Sequence, residues 1–240
     1  MNLGLVRGIA AGVAAFLALY FGLKTKLPHE GSATIAYVVS LVVYLAVGGG
    51  WAAFQRWLNG TEEPEIHGPR RYFDFTTDHK VVGIQYLCAA FFLFFYAGIL
   101  ALIMRTELAK PGEQVIGFQT YNTLVGMHGI GMVIVALTAI IGGFGNYFVP
   151  LQIGAKDMAF PRLNALSFWL VPPAALILIA ALFNGGVDFG WTAYAPLSTR
   201  GPMGKLFFLL AFATAGFSSV FGAINLLVTI IRMRAKGLTF

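Results

Sequence analysis

Charge is scarce in this sequence. Only 11% of its 240 residues are Asp, Glu, Lys or Arg, 58% are hydrophobic, and the mean hydropathy is +0.77; this balance excludes an ordinary water-soluble domain. Cysteine is nearly missing too. Cys88 stands alone, which excludes a disulfide inside the chain; it falls inside an apolar run and is expected to pack in the core. No repeat of fixed period occurs, and no series of short segments alternates polar with apolar residues as a membrane β-barrel requires. Acidic residues are outnumbered ten to sixteen, for a formal charge of +6. The basic residues form no run or stripe, so nucleic acid is set aside as a partner.

What the chain has in abundance is continuous apolar sequence. Six runs cover residues 5–23, 33–54, 81–104, 120–149, 164–183 and 206–231, each close to or above the roughly 20 helical residues that cross a bilayer. The expected fold is all-α, a multi-pass transmembrane bundle of six membrane helices. The first run follows a single basic residue, Arg7, and has no small-residue cleavage site, so it reads as a retained helix. Lys and Arg lie in the loops. With the N-terminus inside, ten of the sixteen fall on the cytoplasmic side, which favours both termini in the cytoplasm.

The longest polar interval, residues 57–80, divides the chain. The expected organisation is an N-terminal extension with two membrane helices over 1–60, a polar linker over 61–80, and four further membrane helices over 81–240. The extension is rich in Ala, Val and Gly and has no ionisable residue inside its helices, as suits packing or partner docking. Behind the linker, polar residues enter the membrane runs, where each needs an explanation.

Of four histidines, His29, His67 and His79 precede or separate apolar runs and read as solvated loop side chains. His128 lies well inside the fourth run. An imidazole there can ligate a haem or simply bond a neighbouring helix's carbonyl, and position alone leaves both open. Gly126, Gly129 and Gly131 strip bulk around it, as either a flat macrocycle or a close helix contact would need. Tyr121 lies seven residues earlier on the same face. In the last run Ser218, Gly222 and Asn225 share a face, suited to ordering water or to bonding a neighbouring helix. Asp157, on its residues alone, is a loop carboxylate near Lys156 and Arg162, on the membrane surface opposite His128's end of the helix.

Several strings carry a resemblance. GGFGNYFVPLQIGAKDMAFPRLNALSFWL from Gly142, TTDHKVVGIQYL from Thr76, MRTELAKPG from Met104, GGVDFGWTAYAPL from Gly185 and SSVFGAINLL from Ser218 resemble subunit I of haem-copper oxidases, over residues 73–240. The resemblance implies that His128 is one of two axial ligands of a low-spin haem, of the haem A type. It implies that Arg105 bonds that haem's formyl group, that Tyr121 lies near its propionates, and that Trp191 belongs to a cap over the haems. Asp157 would be the mouth of a proton pathway lined by Asn146, Asn164, Ser218, Ser219 and Asn225. Glu107 and Gly112 would ligate a structural Na or Ca ion.

The implied activity is reduction of O2 to water with cytochrome c electrons, coupled to proton uptake and pumping, in the cytoplasmic membrane of a bacterium. Subunits II and III and membrane lipid would be partners. A quinol oxidase of the same superfamily is the near alternative, and GGFGN is more like the cytochrome c branch; a membrane b-type cytochrome and a bundle without haem are the distant ones. Two departures stand out. The two extension helices are extra, and the sequence closes with RMRAKGLTF where the resemblance implies more helices. Copper, its histidines, the high-spin haem and the second axial ligand are therefore expected in a further part of subunit I, whether this chain is truncated or one piece of a split subunit, and the chain is expected to be inactive alone.

Overall fold

A computed structural model describes residues 3–239, and for residues 134–136 the backbone only. Every regular element among the described residues is helical. The order is α1 (Gly4–Leu23), α2 (His29–Leu45), α3 (Trp51–Leu58), α4 (His79–Glu107), α5 (Phe118–Ile130), α6 (Leu137–Ile153), α7 (Pro161–Trp169), α8 (Val171–Phe183) and α9 (Gly204–Arg232). Wider turns at Ala46–Gly50 and Gly131–Ala136 join α2 to α3 and α5 to α6, so six helical rods are long and apolar enough to span a membrane. The expected all-α bundle of six membrane helices is what forms.

Most of the rods outrun the apolar runs that reveal them. α4 begins at His79 and ends at Glu107, taking in polar residues at both ends. Asp78 starts it by accepting the Lys80 N–H at 2.8 Å, which satisfies one of the unpaired donors of the first turn. Between α7 and α8 the rod is interrupted at Leu170, because Pro172 and Pro173 cannot donate back into the preceding turn.

Helix contacts are set by small residues. Gly83 of α4 lies so near α6 that an added Cβ would come within 2.9 Å of the Gly143 carbonyl; one on Gly143 would meet Leu87 at 2.6 Å. The glycines of GGFGN thus let α4 and α6 touch backbone to backbone. In the extension Gly8 and Gly12 do the same between α1 and α2, Gly4 does so between α1 and the Gly48 backbone of the wider turn, and Gly48 makes room for the Trp169 ring, which a Cβ would meet at 2.3 Å.

The extension is joined to the other helices by polar bonds as well. The Tyr37 and Thr214 hydroxyls bond at 2.8 Å between α2 and α9. At the start of α1, Gly4 donates to the Asp74 carboxylate at 2.6 Å and Leu5 to the Phe73 carbonyl at 2.7 Å. Asp74 itself is buried and paired with Arg70 at 2.5 Å. Two of the four donors a helix start leaves free are therefore met from the linker. Cys88 departs from expectation: it is exposed on α4, on a side of that helix left uncovered by the described residues.

Gly8→Leu should force α1 off the Tyr44 backbone, which a Cβ would approach to 2.9 Å, at a cost of about 1–3 kcal/mol. The expected reading is a lower thermal midpoint for the purified complex. Gly22→Leu, with nothing within 4 Å of its added Cβ, should leave that midpoint in place.

Candidate functional site

His128 is set by a contact between two neighbouring rods. It is half-buried on α5, and its Nδ1 lies 2.8 Å from the Ala97 carbonyl of α4. A carbonyl only accepts, so Nδ1 carries the proton and the bond fixes the tautomer. Nε2 is then the lone-pair nitrogen, and it has no protein partner among the described residues. Such an arrangement, with one ring nitrogen donating to a backbone carbonyl, orients an imidazole for ligation through the other.

The three nearby glycines divide between the two readings. A Cβ on Gly126 would meet the Val187 carbonyl at 2.3 Å, and one on Gly131 would meet Ala97 at 3.3 Å, so these two serve close packing; Gly129 has nothing within 4 Å. Gly129 opens instead on a cavity of about 400 Å³ that Asn122, Val125, Asp188 and Trp191 also line. Trp191 is 65% exposed. At about 100° per residue, that face is turned away from His128 but borders it.

The α4–α5 connection puts the remaining candidates at one end. Arg105 is exposed and lies eight residues past Ala97, about 12 Å along α4; Tyr121 lies seven before His128, about 10 Å along α5. Glu107 is buried, and its carboxylate accepts the N–H groups of Gln114, Val115 and Ile116 at 2.8, 2.7 and 2.9 Å. Three amides already close this loop around Glu107, and Gly112 takes the left-handed turn, φ 86°, that brings the chain back. Among the described residues no group of three or more His, Cys, Asp or Glu gathers to hold a metal ion.

The second cluster begins with a proline. Pro150 lies inside α6 and has no N–H, so the Asn146 carbonyl four residues earlier is left without its helical donor. His79 supplies one: its Nδ1 donates to that oxygen at 2.8 Å. The expectation of a solvated loop histidine is therefore wrong for His79. It is 4% exposed, in the first turn of α4.

Asp157 lies in the loop between α6 and α7, against this same end of α4. One carboxylate oxygen accepts the Met158 N–H at 2.7 Å. Burial pushes the carboxyl above the ordinary aspartate range, and the Asp78 carboxylate adds to this; the Met158 and His79 N–H groups and the His79 ring pull the other way. Arg162, a neighbour on sequence grounds, pairs with Glu63 of the linker at 3.0 Å instead. The loop is anchored to α9, where Asn225 bonds both the N–H and the carbonyl of Phe160 and Thr229 accepts from Ala159.

Inward from Asp157 the polar residues form a buried group. Asn146 and Asn164 are 1% and 0% exposed; the Asn146 side-chain oxygen and both polar atoms of the Asn164 side chain have no protein partner. Each such atom costs about 1–3 kcal/mol unless a buried water serves it. Ser218 donates to the Ser167 carbonyl at 2.7 Å, and Tyr86 donates to the Ser167 hydroxyl at 2.9 Å. Ser218 and Asn225 thus bond neighbouring segments, whereas Asn146 and Asn164 are the sites left for water. Tyr86 and Ser167 belong to the group although apolar runs gave no reason to single them out. Ser219 is exposed.

α4 measures the separation of the two clusters. From His79 to Ala97 is eighteen residues, about 27 Å, most of the thickness of a hydrocarbon core.

A family model described as Cytochrome C and Quinol oxidase polypeptide I matches residues 81–240. The chain belongs to this family. It is 47% identical to cytochrome c oxidase subunit 1 of Thermostichus vulcanus over 179 residues, covering 74% of this chain and 32% of that protein. For cytochrome c oxidase subunit 1 of Synechocystis sp. the figures are 46% over 173 residues, covering 70% and 31%. A probable cytochrome c oxidase subunit 1-alpha of Streptomyces avermitilis is 43% identical over 169 residues, covering 68% and 29%. The chain spans about a third of the length of these oxidase subunits. α1, α2, α3 and the start of α4 with Asp78 and His79 lie ahead of the stretch that the family model matches, whereas His128 and the other residues of the two polar clusters lie within it.

Asp157 yields a prediction about stability. Its carboxyl ionises less readily folded than unfolded, so its contribution is present in acid and is lost as pH rises through its folded value. The thermal midpoint of the complex, less that of an Asp157→Asn variant, should therefore fall between pH 4 and pH 8. A parent that gains on the variant over that interval would contradict the placement of this carboxylate.

Proposed function

We propose that this chain forms part of the catalytic subunit of a haem-copper terminal oxidase, contributing one axial ligand of the low-spin haem and the entrance of a proton pathway. The observation that carries it is the bond from His128 Nδ1 to the Ala97 carbonyl, which leaves Nε2 as the free lone pair on a half-buried imidazole. Those residues fit one axial position. When bound, a low-spin haem, of the haem A type, supplies one-electron transfer toward the oxygen-reducing centre. The second axial ligand, the high-spin haem and copper are assigned to another part of subunit I.

Around that ligand the chain's own residues position and shield. His128 is held in one tautomer by α4. Gly129 keeps its flank open, Trp191 covers the adjoining cavity, and Arg105 and Tyr121, each about two turns along on its helix, are assigned the formyl and propionate edges. Arg105 in particular is an exposed guanidinium with no protein partner among the described residues, free to donate.

Asp157 is assigned proton uptake. A carboxyl harder to ionise than usual holds and releases protons nearer neutral pH, and the route from it runs by Asn146 and Asn164, where the Asn146 side-chain oxygen and both polar atoms of the Asn164 side chain have no protein partner and suit ordered water, toward Ser218. Asn225 fixes the loop that carries Asp157. Ser219 is assigned a place on this route only with a further part of the subunit against α9. Glu107 and Gly112 are assigned a Na or Ca ion, for which Glu107 retains lone-pair capacity beyond its three amide bonds.

The donor is assigned as cytochrome c, in keeping with the names of the relatives, and O2 as the acceptor. Subunits II and III are partners, the membrane is the bacterial cytoplasmic membrane, and both termini of this chain face the cytoplasm. Residues 1–60, 61–80 and 81–240 are taken as extension, linker and the first four core helices.

In the intact complex, His128→Leu should abolish the low-spin haem absorption band; an unaltered optical spectrum would reject the ligand assignment. Asp157→Asn should leave that band in place while O2 consumption with reduced cytochrome c falls at least about tenfold, at or below the scale of losing a positioned proton-transfer group. Wild-type turnover in the Asn variant would remove Asp157 from the pathway.

A further inference from the structure

The extension encloses a space of its own. A cavity of about 440 Å³ lies between α1 and α2 on one side and α8 and α9 on the other. Its walls are mainly hydrocarbon and aromatic, with Phe16, Tyr37 and Phe207 among them and Ser40 and Asn184 as polar points. It opens sideways past Leu17 and Leu176, respectively 48% and 41% exposed.

Its dimensions select the occupant. Along α1 the lining runs from Ile9 to Phe21, twelve residues or about 18 Å, which is a little over half of a hydrocarbon core of about 30 Å and so the depth of one leaflet. The volume matches roughly fifteen groups the size of a water molecule, the scale of one acyl chain. A helix about 10 Å across with its side chains is too wide for it.

The headgroup end is basic. The slot ends at the α1–α2 turn, where Lys24 Nζ stands 4.2 Å over the ring of Phe21, itself in the lining. Lys26 follows two residues on, and residues 24–30 carry these two lysines against Glu30 alone. The hydroxyl of Tyr20, also in the lining, lies 3.4 Å from Nδ1 of His29, the first residue of α2. A tail slot one leaflet deep, with ammonium groups where the interface begins, suits a lipid whose head is negative.

We propose that the slot between α1–α2 and α8–α9 holds one acyl chain of an anionic phospholipid, with its phosphate at Lys24 and Lys26. It makes the extension a lipid-holding attachment on the oxidase core and requires only that the chain spans a membrane, so it stands or falls apart from the haem assignment.

The test is the phospholipid content of the intact complex, purified in mild detergent and measured by native mass spectrometry, with assembly followed by size-exclusion chromatography. Leu17→Trp, which fills the slot from its mouth, should remove one tightly held phospholipid per complex. The exposed double variant Lys24→Glu with Lys26→Glu should lower the anionic share of retained lipid severalfold without loss of assembly, and it carries the decision if the tryptophan variant fails to assemble. Unchanged anionic lipid in the lysine variant would overturn the proposal. So would the loss of a prenyl quinone in place of a phospholipid from the tryptophan variant.

Discussion

A bilayer has no water to offer an unpaired carbonyl or ring nitrogen, and in this chain that constraint decides where both histidines of the core point. Pro150 cannot donate to the Asn146 carbonyl, and His79 does so in its place. The Ala97 carbonyl, with a second lone pair to spare, takes the proton of His128 Nδ1. Each bond ties α4 to a neighbouring rod and fixes a ring. At the first the bond pins α4 beside Asp157; at the second it leaves one nitrogen free. Both histidines answer to the same helix, so the two clusters keep a fixed spacing whatever the loops do.

That spacing depends on glycine. His79 reaches Asn146 only because α4 and α6 touch through Gly83, Gly142 and Gly143, where added side chains would collide with Tyr86, Leu87 or backbone. The same economy serves the extension: Gly8 and Gly12 bring α1 against α2, Gly4 brings it against Gly48 of the wider turn, and Gly48 receives Trp169 and so attaches the extension to α7. Packing of this kind needs no charge, and the charges are accordingly spent at the ends, in Arg70 with Asp74 and in Glu63 between Arg56 and Arg162.

Much of this could be read from the sequence, for a physical reason. Hydropathy is a sum over many residues, so six membrane rods survive any local ambiguity. It fails at rod ends, where α4 begins on His79 and closes on Glu107, polar residues that pay for their burial with specific bonds. A signal for His79 was present: Asp78 is a helix-capping residue directly before the apolar run, which places its neighbour inside the helix and not in a loop. The partner it finds, a carbonyl freed by a proline 71 residues later in the chain, is a tertiary fact with no local trace. Cys88 illustrates the opposite limit. Its run is apolar on every side, so periodicity does not say which face is covered, and the structure leaves it exposed.

The glycines around His128 show how one composition serves two ends. Gly126 and Gly131 are consumed by contacts with Val187 and Ala97, while Gly129 touches nothing within 4 Å and borders open space. Sequence could supply only their number, since each packs, or fails to pack, against a segment remote in the chain. A close helix contact and an open flank are therefore complementary, not rival, uses of the same stretch. The pair that packs holds α5 at the distance where His128 meets Ala97, and the one that does not leaves the adjoining face free. Enlarging Gly126 or Gly131 would disturb the ring by moving its helix, whereas enlarging Gly129 would leave the ring in place and narrow what lies beside it.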